Sequence, residues 1–427
     1  MRYPSATLLL LAITAPATLH AEPTAAATLP ENARLAVVGD SITEQKLYSR
    51  YIEAYLVACA GRSDVRVFQF GWGGETAGGF AGRALNDLAT FHPTTVTLCY
   101  GMNDGSYRPF DDGIGRNYEQ SMRRVVQLLK ESGVKHIVVG SPGAVDTTYF
   151  RNGNFGAQSA ADGYNENLRR LGEIGKKIAG EIQQPFADVH QPMVDAMLKA
   201  RPVLGREYDV CGRDGVHPGP NGHLLMAAAF LQGLGCDGDL GTIALSMSGP
   251  ATATEGHKVL TSGPGTAELE STRYPFCLQG DDKSSNGTRS ITPFTTFQSA
   301  LNRYQLKVDG LTAAKAKVEW NGQAKEFTKD QLTAGINLAA EFTATPFDAN
   351  FAAYLEKLGA KQGYETVLIK NLITSFRFFD GEAKSDAAVA GAFDTLRNRL
   401  PARQRTLDDE ARAALKPVKH TLKVTAL

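Results

Sequence analysis

Leu35-Ala-Val-Val-Gly39-Asp40-Ser41-Ile42-Thr43 is an apolar run that stops on a glycine and passes directly into an Asp-Ser pair and a helical pattern. A strand ending this way before a helix points to an open α/β sheet, where sites form beyond the carboxyl ends of the strands. The alternation continues outward. Residues 65–70, 95–100, 136–140 and 186–189 read as strands, and 48–59, 118–132, 164–183 and 224–234 as helices. Strands alternating with helices predict a parallel sheet covered on both faces, and the near-continuous apolar runs suit strands buried on both sides.

After about residue 240 the texture changes. Residues 238–265, rich in Gly, Ser, Thr and Ala, read as a linker with edge elements. Residues 266–271, 303–308, 316–320 and 421–425 alternate polar with apolar, the period of half-exposed antiparallel strands, while 351–358, 365–376 and 387–400 look helical. The N-terminus reads as a secretory leader: Arg2, an apolar run from Leu8 to Ile13, and a cleavage site at Leu19-His20-Ala21. That run is far shorter than the ~20 residues that cross a bilayer. The chain therefore divides into a leader (1–21), an N-terminal extension (22–32), an α/β catalytic domain (33–240) and a β-rich accessory domain with helical segments (241–427). A secreted or periplasmic protein with no membrane span is expected.

With 43% hydrophobic and 21% charged residues, the 427-residue chain can bury sizeable cores. Lys+Arg and Asp+Glu are both 45, so the formal net charge is zero, which argues against nucleic acid as a partner. The five cysteines form no CxxC pair and no Cys/His cluster of zinc spacing, so no metal is expected. Cys59 and Cys99 lie in apolar stretches. One disulfide among Cys211, Cys236 and Cys277 fits an oxidising compartment.

Ser41, just beyond a strand, fits a helix N-cap or a nucleophile. A nucleophilic serine needs a base, and Asp214-Gly-Val-His217-Pro218 supplies an aspartate and a histidine three apart on a turn. The carboxylate can fix one ring nitrogen while the other faces Ser41; the same residues also suit an ordinary surface turn. His223, six residues on, is a decoy suited to packing or capping. Acyl chemistry further needs donors for an oxyanion. Gly71-Trp-Gly-Gly74-Glu-Thr76 and Gly101-Met-Asn103-Asp104 each follow a strand and can place a backbone N–H and an amide there. Asp40, Trp72 and Asp104 flank these positions and are candidates for substrate contact. Residues 108–115 read as a loop over the site.

Taken in order, the segments GDS, GGET, GMND and DGVHP resemble the four blocks of the SGNH/GDSL hydrolases, over about residues 33 to 235. The resemblance implies a flavodoxin-like three-layer parallel sheet and serine-dependent ester hydrolysis without a cofactor. It matches Ser41 to the nucleophile, His217 and Asp214 to its catalytic partners, and the Ser41 and Gly74 N–H groups with the Asn103 side chain to the oxyanion hole. One departure is Gln69, where the family often has Asn; this alters how the Gly74 loop is held and leaves the glycine intact.

Export and an added β domain fit an esterase acting on acetylated oligo- or polysaccharide. A lipase, lysophospholipase or thioesterase of the same fold, an acyltransferase, and a non-catalytic glycan-binding protein are the alternatives. Trp320, Tyr304 and Tyr274, on or near accessory-domain strands, fit either a sugar-stacking face or a core. Residues 334–338 weakly resemble a C-terminal region attached to some exported SGNH esterases, and such a region would wall the cleft.

Overall fold

The structure is a computed structural model and describes residues 29–156 and 159–427. The expected leader lies outside the described residues, as does most of the 22–32 extension. Strands β1 (Arg34–Gly39), β2 (Arg66–Gly71), β3 (Thr95–Cys99), β4 (His136–Gly140) and β5 (Phe186–Ala187) form a parallel sheet in the order β2-β1-β3-β4-β5. This is the flavodoxin-like winding, and its switch point lies between β1 and β3. Alternation along β1 explains the layering. Leu35 and Val37 enter one core with Tyr48, Ile52, Met193 and Leu224, while Ala36 and Val38 enter the other with Phe80, Met122 and Val125. Helices on both faces thus bury both sides of the same strand.

The last helix of this unit, Pro220–Gly233, is followed by β6 (Asp239–Ser246). Strands β7 (Thr252–Ala253), β8 (His257–Gly263), β9 (Thr266–Ser271), β10 (Arg303–Asp309), β11 (Lys315–Trp320), β12 (Gln323–Thr328), β13 (Ile336–Asn337) and β14 (Val418–Ala426) complete the chain. They build two sheets, β13-β10-β6-β7 and β12-β11-β14-β9-β8. The C-terminal strand β14 inserts between β9 and β11. The expected linker over 238–265 is instead largely sheet. β6 is paired on both sides, and its Leu240, Ile243 and Leu245 are buried in the apolar core; Gly238 and Gly241 masked the strand.

Trp320, Tyr304 and Tyr274 are all buried, so they form core rather than a sugar-stacking face. Trp320 Nε1 donates to His420 Nδ1 at 3.2 Å, and Ser271 Oγ lies 2.9 Å from both His257 Nδ1 and His420 Nε2. All five cysteines are free. Cys211 packs on Met197, and Cys277 beside Thr345, so the expected disulfide is not formed.

Between β13 and β14 the chain makes a helical excursion back to the first sheet. The two helices expected over 351–376 are one helix, Asp348–Asn371, followed by a 3-10 turn at Ile373–Phe379. The long helix covers β2, the edge of the parallel sheet. Bare edges expose unpaired backbone groups, and here side chains satisfy them. Gln69 N donates to Glu365 Oε2 at 3.0 Å, and Lys361 Nζ donates to Val67 O at 2.5 Å. Lys361 also lies 2.7 Å from Glu53 and 3.3 Å from Glu365, all three fully buried. One apolar core runs from Leu35 through Tyr304, Trp320 and Phe351, so the two halves share an interior.

Candidate active site

β1 ends at Gly39 and the one-turn helix Ser41–Glu44 begins at once. Asp40 caps this helix: its Oδ1 accepts the Ile42 N–H at 3.0 Å. Capping leaves Ser41 in the first helical position, beyond the sheet. Asp40 is 3% exposed, and burial pushes its carboxyl up to about 7. Its place is in the scaffold rather than on a substrate.

Ser41 Oγ lies 2.8 Å from His217 Nε2, and His217 Nδ1 lies 2.6 Å from Asp214 Oδ2. The other Asp214 oxygen, Oδ1, accepts the N–H groups of Val216 and His217, each at 2.9 Å. Burial alone would raise the Asp214 carboxyl, but hydrogen bonds from these two N–H groups and from the His217 ring hold it below the usual range. Gly215 lets this turn form. It sits at φ +83°, and an added Cβ would come within 2.4 Å of the Phe150 backbone. Across the contact, Asp146 N donates to Gly215 O at 2.8 Å.

His223, the decoy, is buried behind the site. Its Nδ1 accepts Tyr48 N–H at 3.2 Å, so its Nε2 carries the proton toward Gln45 Oε1 at 2.9 Å. Burial pushes it down to about 3 and keeps it neutral.

Gly74 lies after β2 in a four-residue turn that Glu75 N closes on Trp72 O at 3.1 Å. Gly74 has φ +73° and Gly73 does not have positive φ, which is a type II turn. No side chain crowds Gly74, and both glycines are exposed. The next residue anchors the turn. Glu75 is held by Arg83 at 2.7 Å through both oxygens and by Tyr100 Oη at 2.7 Å. Asn103 Nδ2 donates one hydrogen to Glu75 O at 3.0 Å, while Tyr107 Oη donates to Asn103 Oδ1 at 3.2 Å. This fixes the amide orientation and leaves one N–H of Asn103 for a ligand.

Asp104 is spent on the same frame. Its two oxygens accept Ala77 N and Gly101 N, each at 3.0 Å, and burial pushes the carboxyl up to about 6. Trp72 is half-buried, with the Arg83 guanidinium and the Lys370 ammonium each 4.8 Å from its ring centroid. Gln69, the departure in the second block, donates from Nε2 to Thr43 O at 2.8 Å and accepts Thr366 Oγ1 at 2.9 Å. It ties the Ser41 helix to β2 and to the long C-terminal helix.

Residues 108–115 are only half loop. Asp111 Oδ1 accepts Ile114 N at 2.9 Å and caps a helix over Asp112–Glu131. Tyr107, absent from the sequence-derived candidates, sits in the site at φ +50° beside Ser106 at φ +58°. Consecutive non-glycine residues in the left-handed region are uncommon and carry backbone strain. A side-chain pattern carries no sign of such backbone strain; the tyrosine's nearness to the GMND segment was the one available hint.

A serine hydroxyl beside an imidazole, a carboxylate behind that ring, and N–H donors on two neighbouring loops are groups that acyl transfer through serine could use. The family model of the GDSL-like lipase/acylhydrolase family matches residues 37–225. An acetylxylan esterase of Geobacillus stearothermophilus is 25% identical over 195 residues, covering 44% of this chain and 80% of that protein. Among solved structures, a gut microbial diltiazem-metabolizing enzyme superposes with a TM-score of 0.69 at 21% identity, covering 95% of this chain and 100% of that one. The fold of both halves is thus shared with that structure. Residues 37–225 thus match the GDSL-like lipase/acylhydrolase family model, and the protein is an esterase.

Proposed function

We propose that this esterase removes small acyl groups, acetyl above all, from acetylated oligo- or polysaccharide through an acyl-enzyme on Ser41. The observation that carries this reading is the relay Ser41 Oγ–His217 Nε2–His217 Nδ1–Asp214, at 2.8 and 2.6 Å, beyond the carboxyl end of β1. His217 takes the Ser41 proton as Oγ attacks the ester carbonyl carbon. Asp214 holds the Nδ1–H and stabilises the imidazolium that forms. Charge developing on the carbonyl oxygen is met by Ser41 N–H, Gly74 N–H and the free N–H of Asn103. Removing one such donor typically costs 10²–10³ in rate. The C–O bond to the alcohol breaks, His217 returns the proton to the leaving oxygen, and water attacks the acyl-serine by the reverse proton route.

Three points favour an acetyl ester carried on a bulky alcohol. Gly73, Gly74 and Asp214 are exposed, so the alcohol side can remain part of a large polymer. The acetylxylan esterase relative acts on such an ester by its name. Export, expected from residues 1–21, would bring the enzyme to that substrate.

The test is acetate release from acetylated xylan, mannan and pectin, beside a series of aryl esters of increasing acyl length. The reading predicts acetate from at least one glycan and a fall in kcat/KM as the acyl chain grows. Fast cleavage of long acyl esters with no acetate from any glycan would overturn it in favour of a lipase. Acylated product on added acceptor sugar would reveal a transferase.

A further inference from the structure

We propose that Lys370, carried by the C-terminal half, is a positioning residue for the oxyanion loop and acts through Glu44. This inference rests on the reading of Gly74 as an oxyanion donor. Glu44 ends the one-turn helix that begins with Ser41. Its Oε2 accepts Gly73 N–H at 2.5 Å, and its Oε1 receives Lys370 Nζ at 2.6 Å. The same ammonium lies 4.8 Å from the centroid of Trp72, the first residue of the turn. Lys370 stands in the last turn of the helix Asp348–Asn371, where a cation also meets the helix dipole favourably.

The turn needs such support because its centre is Gly73-Gly74. A pair of glycines opposes peptide reorientation least. The peptide joining them carries the Gly74 N–H, and turning that peptide over would aim the donor away from the carbonyl oxygen. Glu75 is fixed on the far side by Arg83, Tyr100 and Asn103. On the near side the turn is held by Glu44 on Gly73 N–H and by the cations over Trp72. Lys370 serves both near-side contacts. It orients the Glu44 carboxylate, one of whose oxygens it occupies, and it covers the Trp72 ring. The long helix is itself seated by the buried Lys361–Glu53 and Lys361–Glu365 pairs, so Lys370 has a fixed origin. Helical packing of the C-terminal half thereby reaches the donor geometry of the site. Lys370 and Glu44 are each about a quarter exposed, so the pair can be altered without opening the core.

The experiment compares wild type with Lys370→Met, Lys370→Arg, Glu44→Gln and the double variant Glu44→Gln/Lys370→Met in the full-length protein. Two readouts are used: steady-state kinetics on a short-chain aryl acetate, and acrylamide quenching of tryptophan fluorescence. The chain has two tryptophans and Trp320 is buried, so quenching reports Trp72. Lys370→Met should lower kcat about 10-fold with KM within 2-fold of wild type, and should raise the quenching constant about 2-fold. Lys370→Arg should restore kcat to within about 3-fold. Adding Lys370→Met to Glu44→Gln should lower kcat by less than about 2-fold further. Wild-type kcat in Lys370→Met, or equal losses in kcat with and without Glu44, would overturn the proposal while leaving the esterase reading intact. Ser41→Ala is assayed alongside; turnover that it retains would overturn the acyl-enzyme reading on Ser41 instead, and the quenching comparison then decides whether Lys370 orders the loop, unchanged quenching overturning that.

Discussion

Replacing Asp214 by asparagine should harm turnover more than replacing it by alanine. The carboxylate uses its two oxygens differently. Oδ1 is pinned by Val216 N–H and His217 N–H at 2.9 Å each, and Oδ2 faces His217 Nδ1 at 2.6 Å. In Asp214→Asn the side-chain oxygen must stay on the two backbone donors, so the NH2 points at Nδ1. Nδ1 then has to accept, the ring proton moves to Nε2, and His217 presents a donor to Ser41 instead of a base. Reversing the amide would lose two hydrogen bonds and set NH2 against two N–H groups, at about 2–3 kcal/mol, or ~30–150-fold. Alanine sets no such trap. The Asp214 side chain is 56% exposed, so water can take its place and His217 keeps access to the productive tautomer. We expect kcat to fall about 10²-fold in Asp214→Ala and about 10³–10⁴-fold in Asp214→Asn, a loss comparable to that of a tautomer-trapped Ser-His-Asp triad. The assay is initial-rate hydrolysis of an aryl acetate near pH 7.5, with urea midpoints confirming that both variants fold. An asparagine variant as active as the alanine variant, or more so, would refute the reasoning.

Gly74→Ala places a Cβ in open space but at φ +73°, where an L-residue is strained by about 1–2 kcal/mol. Relief of that strain turns the Gly74 N–H, so kcat should fall about 10²-fold with little change in KM; unchanged kcat in a stopped-time assay would remove this donor from the account. Arg83→Met leaves the Glu75 and Asp87 carboxylates buried without their cation, and urea unfolding should show a loss of about 3–5 kcal/mol. Burial, with His257 beside it, pushes His420 down to about 4, against about 6.5 in an unfolded chain. Unfolding then takes up a proton between these values. Stability from this group is full above about pH 6.5 and is lost as pH falls toward 4, by about 3 kcal/mol in all. Urea midpoints measured across that window should fall with pH, and less steeply in His420→Gln.

What the sequence disclosed was local. A strand ending at Gly39 before Asp40-Ser41 carries its own geometry, and so does Asp214-Gly-Val-His217; the structure brings both to one point. The same locality explains Asp40 and Asp104. Their nearness to the site was legible, but their backbone bonds to Ile42, Ala77 and Gly101 were not. Alternation in 303–308 and 316–320 identified strands without telling which face meets another layer, so Tyr304 and Trp320 emerged as core. Contacts remote in sequence were invisible. Lys361, Glu365 and Lys370 read as ordinary polar positions on a helix, yet they meet Glu53, Gln69 and Glu44 about three hundred residues earlier. Glycines hid β6 for a related reason, since its pairing with β10 crosses about sixty residues.

The most direct test of the central claim is acetate release from an acetylated glycan and from an aryl acetate by wild type and by Ser41→Ala. Ser41 Oγ is the only atom this mechanism asks to become covalently acylated. The account predicts turnover on both substrates by wild type and a fall of at least about 10³-fold on both in Ser41→Ala, with unchanged folding. Turnover that survives the loss of Ser41 would contradict it.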